Sequence, residues 1–90
     1  MIFFFRFGGE EFICLLLGTD QRGAIAGAEK LRMAIDQLRI QTGLAPISLT
    51  ASFGVAGITA EARSIETVLT RADKALYRAK ADGWNCIRSS

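Results

Sequence analysis

An α+β fold with the element order β-β-α-β-α-β is predicted by three features of the 90-residue sequence. Two β-prone runs flank a glycine pair near the start, a period-two stretch lies past the middle, and two longer stretches repeat apolar residues at spacings of three and four. The length suits one small domain. Half of the residues are apolar, 22% are charged and only one is proline, which excludes a disordered tail, a collagen-like repeat or a low-complexity linker.

The first element is a hairpin. Met1 to Phe7 and Glu11 to Leu17 are β-favouring runs separated by Gly8-Gly9-Glu10, and paired glycines supply the positive φ angles a tight turn demands. In the second strand Phe12, Cys14 and Leu16 face one way and Ile13, Leu15 and Leu17 the other. Both faces are apolar, which predicts a central position in a sheet. From Gln21 to about Gln41, Ile25, Ala28, Leu31, Ile35 and Leu38 form an amphipathic stripe, with Gly43 just beyond as a stop.

A strand over Ile47 to Ala56 follows, in which Ile47, Leu49, Ala51, Phe53 and Val55 alternate with residues that include Ser48, Ser52 and Gly54. Its small face predicts close approach by a neighbour. Ser64 is placed to cap a helix carrying Ile65, Val68, Leu69, Ala72, Ala75, Leu76 and Ala79 on one stripe, and Gly83 to close it. Trp84 to Ile87 would return as a short final strand.

Composition narrows the chemistry. A net charge of +2, with basic residues scattered from Arg6 to Arg88, gives no basis for a nucleic-acid partner. The apolar runs Met1 to Phe5 and Phe12 to Leu17 are too short to span a membrane, and the first lacks the basic flank and cleavage site of a signal peptide. Cys14 and Cys86 are too few for a disulfide framework, so a reducing, cytoplasmic setting is expected. With no histidine, a His-dependent triad and a Cys/His zinc site are excluded, and acid chemistry falls to carboxylates.

Arg6-Phe7-Gly8-Gly9-Glu10-Glu11-Phe12 sets two adjacent carboxylates beside two residues without side chains. Hard oxygen donors suit Mg²⁺, which is held by one or two protein carboxylates together with substrate phosphates. By spacing alone the same turn also fits a solvated hairpin tip. Asp73, Tyr77 and Lys80 border the apolar stripe of the second helix. Lys80 there fits either a ligand contact or a snorkelling side chain drawn to the negative end of the helix.

Taken together, Arg6-Phe7-Gly8-Gly9-Glu10-Glu11-Phe12 and Ala72-Asp73-Lys74-Ala75-Leu76-Tyr77-Arg78-Ala79-Lys80 resemble the GGDEF domains of bacterial diguanylate cyclases. Ala28-Glu29-Lys30-Leu31-Arg32 and Thr50-Ala51-Ser52-Phe53-Gly54-Val55-Ala56 resemble that family's helix and strand in the same order. The resemblance covers the C-terminal half of the family's domain and implies a nucleotide-cyclase-like palm, a two-layer sandwich of which this chain is a part. Residues 1–90 are thus expected to form a single incomplete GGDEF domain that starts at the motif hairpin.

The resemblance implies condensation of two GTP into cyclic di-GMP with release of pyrophosphate, in a homodimer that holds one GTP in each domain. It implies that Glu10 ligates Mg²⁺ or Mn²⁺, that Glu11 assists at the metal and the attacking hydroxyl, that Gly8 and Gly9 leave room for ribose and phosphate, and that Lys80 neutralises the terminal phosphates. Three departures bear on activity. The family's guanine-reading residues and a further metal-binding aspartate belong to its N-terminal half. An expected phosphate-binding arginine is replaced by Trp84, a lost charge-assisted contact worth about 1.5–3 kcal/mol. The aspartate of the product-inhibition motif would fall at Ile2. A catalytically inactive, nucleotide-binding regulatory module and a truncated remnant therefore stand beside the enzyme as readings. The β-prone Met1-Ile2-Phe3-Phe4-Phe5 run adds an expectation of self-association through an exposed sheet edge.

Overall fold

A computed structural model describes residues 2–6, 12–16, 18–59 and 64–90. The element order is the expected one: β1 (Ile2–Arg6), β2 (Phe12–Leu16), α1 (Gln21–Gln37), β3 (Phe53–Val55), α2 (Ile65–Ala81) and β4 (Ile87–Ser89). β1 and β2 pair antiparallel from Ile2 opposite Leu16 to Arg6 opposite Phe12, as a hairpin requires. The turn expected at Gly8-Gly9-Glu10 lies outside the described residues.

β2 is not central among the described strands. It pairs with β1, while β3 pairs with β4 in a separate two-stranded sheet. Apolar character on both faces makes a strand fit for two covers but does not supply them, and Phe12 is 57% exposed.

β3 and β4 run parallel, with Phe53 opposite Ile87 and Val55 opposite Ser89. The Phe53 N–H donates to the Cys86 carbonyl at 3.0 Å and the Ser90 N–H to the Val55 carbonyl at 2.9 Å. Both helices lie against this pair, α2 more extensively than α1. The core sits beneath α2, where Val68, Ala75 and Ala79 are buried. Small residues at these positions let the helix descend onto the strands, and Gly54 is where it comes closest. A Cβ on Gly54 would overlap the Ala72 carbonyl and the Leu76 backbone. The small face of the strand thus receives a helix backbone.

Three boundaries differ from the sequence reading. α1 ends at Gln37 instead of about Gln41. Leu38 turns to extended backbone (φ −66°, ψ 141°), and Arg39 then donates to the Asp36 and Leu38 carbonyls at 2.9 and 2.7 Å, satisfying the open helix end from outside. The strand expected over Ile47 to Ala56 is reduced to Phe53–Val55, because Ile47 pairs instead with Ile40 in an isolated antiparallel bridge. β4 starts at Ile87 instead of Trp84, because Trp84 and Asn85 adopt positive φ angles of 65° and 47°. No strand accepts that conformation.

Both helix N-caps form. Asp20 accepts from the Gly23 N–H at 2.8 Å, and Ser64 accepts from the Thr67 N–H at 3.2 Å. At the end of α2, Gly83 (φ 116°) donates to the Lys80 carbonyl at 3.3 Å and Trp84 to the Ala79 carbonyl at 3.0 Å. These two bonds make a Schellman motif, so Gly83 closes the helix as its position foretells.

Candidate functional site

Two regions carry the expected site residues. Gly8, Gly9, Glu10 and Glu11 fall within residues 7–11, outside the described residues. The Arg6–Phe12 pairing brings the two ends of that segment opposite each other. Lys80 is described: it stands in the last turn of α2, half-buried. Its ammonium lies 5.3 Å from the centroid of the Trp84 ring, within cation–π range.

Lys80 owes this place to the local sequence. A cation in the last helical turn is favoured by the carbonyl ends of the helix, and Arg78 shares that turn. The Schellman closure then reverses the chain and carries Trp84 back alongside the side chain of Lys80.

A second cluster was not singled out by sequence reasoning. On α1, Arg32 donates to both carboxylate oxygens of Glu29, at 2.9 and 2.5 Å, and through its other terminal nitrogen to the Asn85 Oδ1 at 2.9 Å. The Asn85 N–H donates in turn to the Ser52 hydroxyl at 2.9 Å. This chain of contacts ties α1 to the approach to β3 and to the segment leading into β4. The bidentate bond from Arg32 draws the Glu29 carboxyl below its usual range against the opposing effect of desolvation, and Glu29 raises Arg32 in return. Ile25, Glu29, Arg32, Asn85, Cys86, Ile87 and Ser89 line an open cavity of about 390 Å³ here. The Glu29/Arg32 spacing of three on a helix was the available signal, whereas nothing in the sequence pointed to Asn85 as the partner across the fold.

Among the described residues no group of three or more metal-ligating side chains gathers, and no helix is long and apolar enough to cross a membrane. The carboxylates of Glu10 and Glu11 are hard oxygen donors of the kind that Mg²⁺ or Mn²⁺ takes, so the donor chemistry fits the metal the motif implies.

Comparison with known proteins gives one consistent result. Residues 3–86 match the family described as diguanylate cyclase, GGDEF domain. Diguanylate cyclase A of Treponema denticola is 38% identical over 85 residues, covering 94% of this chain and 23% of that protein. The chain thus spans about a quarter of this relative's length. Among solved structures, the active GGEEF domain of a diguanylate cyclase from Vibrio cholerae superposes with a TM-score of 0.87 at 31% identity, covering 99% of this chain and 56% of that one. The GGDEF domain of DgcB from Caulobacter crescentus, in complex with c-di-GMP, gives 0.90 at 26% identity, covering 98% and 51%. The α+β arrangement is therefore part of the cyclase-like palm of these domains. With the motif hairpin, the α2 signature and their order all inside the matched span, the chain belongs to the GGDEF, or diguanylate cyclase, domain family.

Proposed function

We propose that this chain is the metal- and phosphate-handling part of a diguanylate cyclase domain, which condenses two GTP into cyclic di-GMP with release of pyrophosphate. The observation that carries this reading is the family match over residues 3–86, because it takes in both the Gly8-Gly9-Glu10-Glu11 motif and Lys80. By this reading residues 1–90 are one incomplete GGDEF domain, and guanine recognition is supplied by the remainder of the domain.

Each residue has a task set by its chemistry. Glu10 and Glu11 would hold Mg²⁺ or Mn²⁺, and the Glu11 carboxylate would also accept a hydrogen bond from the attacking 3′-hydroxyl. Bound metal supplies charge neutralisation at the phosphates. Gly8 and Gly9 admit ribose and phosphate where a side chain would obstruct them. Lys80 presents a positive charge to the terminal phosphates, which carry more negative charge as the α-phosphate bond breaks. Each GTP needs the other as nucleophile, so a homodimer of domains aligns the two reactants. Free thiols at Cys14 and Cys86, together with GTP as substrate, favour the cytoplasm as the compartment.

The test is turnover of Mg-GTP by this chain joined to the remainder of the GGDEF domain, since the chain alone is expected to be inactive, with product separated by chromatography and identified by mass spectrometry. Glu10→Gln is expected to abolish cyclic di-GMP formation, and undiminished output would remove Glu10 from the mechanism. Trp84 in the place of a phosphate-binding arginine favours a second reading, a regulatory module that binds nucleotide without turning it over. Saturable Mg-GTP binding with no product would establish that reading instead. Self-association through the β1–β2 edge is checked separately by sedimentation.

A further inference from the structure

We infer that Trp84 is a positioning residue for Lys80: its ring holds the ammonium at the C-terminal end of α2 and thereby sets affinity for the substrate's terminal phosphates. The inference rests on the phosphate role proposed for Lys80. Its ground is the 5.3 Å separation between the Lys80 Nζ and the Trp84 ring centroid.

That contact is built into the backbone. The Trp84 N–H is tied at 3.0 Å to the carbonyl of Ala79, the residue immediately before Lys80, and Trp84 is held at φ 65°. Asn85 follows at φ 47°, with its N–H on the Ser52 hydroxyl and its side-chain oxygen on Arg32. Trp84 is therefore fixed on one side by helix closure and on the other by the Arg32–Asn85–Ser52 contacts. Trp84 is 57% exposed, so burial does not hold it in place, and the fixed backbone sets where its side chain leaves the chain.

The consequence for Lys80 follows from its flexibility. A four-carbon stem samples many rotamers, and fixing it on a ligand costs that freedom. A ring face that already attracts the ammonium narrows the sampling before ligand arrives.

Trp84 is the only tryptophan in the chain, so its emission reports this contact without labelling. Emission from the 90-residue chain is compared with that of Lys80→Met, which keeps the stem and removes the charge. A change is expected, and identical emission overturns the contact. Binding of inorganic triphosphate with Mg²⁺ is then measured by titration calorimetry for the parent chain, Trp84→Phe and Trp84→Leu. Trp84→Leu is expected to bind about two- to fivefold more weakly and Trp84→Phe to stay within about twofold of the parent. Equal affinity in all three, or a Phe variant as weak as Leu, overturns the role of Trp84 alone. No binding by the parent chain overturns the phosphate role of Lys80 and the affinity effect with it. Far-UV circular dichroism checks folding, and if Trp84→Leu fails to fold, the Lys80→Met emission and the Phe titration decide the matter.

Discussion

Gly54 and Leu76 meet backbone to backbone: a Cβ on Gly54 would stand 2.9 Å from the Leu76 Cα and closer still to its nitrogen. This contact sets the depth of α2 on the β3–β4 pair, and hence the position of Lys80 one helical turn beyond Leu76. Side-chain rotation cannot relieve an overlap between backbone and Cβ. Gly54→Ala is expected to destabilise the fold by about 3 kcal/mol, at the upper end for overpacking, read as a lowered urea midpoint. A midpoint equal to that of the parent would show that α2 does not pack at this depth.

Gly83 offers a contrasting substitution, because nothing lies within 4 Å of the Cβ it would gain. Its φ of 116° alone opposes an L-residue there. Gly83→Ala should therefore cost about 1–2 kcal/mol through conformation and not through packing. Since Gly83 closes the Schellman motif that orients Trp84, the same variant should also alter Trp84 emission. Thermal unfolding followed by both circular dichroism and fluorescence measures the two effects together.

Ser64 accepts from the Thr67 N–H at 3.2 Å, and its hydroxyl also hydrogen-bonds the Thr67 hydroxyl at 2.9 Å. Ser64→Ala leaves an open donor at the start of α2 and is expected to cost about 1 kcal/mol, with Ser64→Asp close to neutral. Denaturant midpoints of the two variants decide this, and equal losses would show that the side-chain oxygen is not the capping group.

How far the sequence reveals the structure varies with the range of the determining contact. α2 was legible from end to end, since Ser64, the Val68–Ala75–Ala79 stripe and Gly83 are local signals that agree with one another. The β3 strand was read too long because alternation from Ile47 onward satisfies a strand pattern, whereas the pairing of Ile47 with Ile40 depends on where α1 stops. α1 stops early through Arg39, which binds carbonyls within its own neighbourhood and leaves no mark in apolar periodicity. The start of β4 shifted because Trp84 and Asn85 take positive φ angles that neither residue type announces. The place of Lys80 in the last turn of α2 is legible from the helix periodicity. Its contact with Trp84 is not, because that requires the chain reversal at Gly83 to be known first.

The Glu29–Arg32–Asn85 contacts make the region around Trp84 sensitive to acid. Hydrogen bonds from Arg32 hold the Glu29 carboxyl below its usual value, so in the folded chain it stays ionised at a pH where the unfolded chain has already taken up a proton. The unfolded state then binds more protons, and stability rises with pH through that window. The contribution of Glu29 is accordingly complete above the ordinary glutamate value of about 4.3 and is lost as pH falls through the lower folded value. Asp36 and Cys86 also lie in the field of Arg32, so a control is needed to isolate Glu29. Glu29→Gln supplies it, removing the titrating group while keeping a hydrogen-bond acceptor. The parent is expected to lose more stability than Glu29→Gln as pH falls below the ordinary glutamate value of about 4.3 and to match its pH dependence at higher pH. Because Arg32 also holds Asn85, the residue after Trp84, the parent's Trp84 emission should change over the same fall in pH and that of Glu29→Gln should change less. Denaturation curves across the range, followed by fluorescence, measure both. Parallel acid losses in the two proteins would show that Glu29 contributes nothing to the linkage between α1 and the segment that carries Trp84.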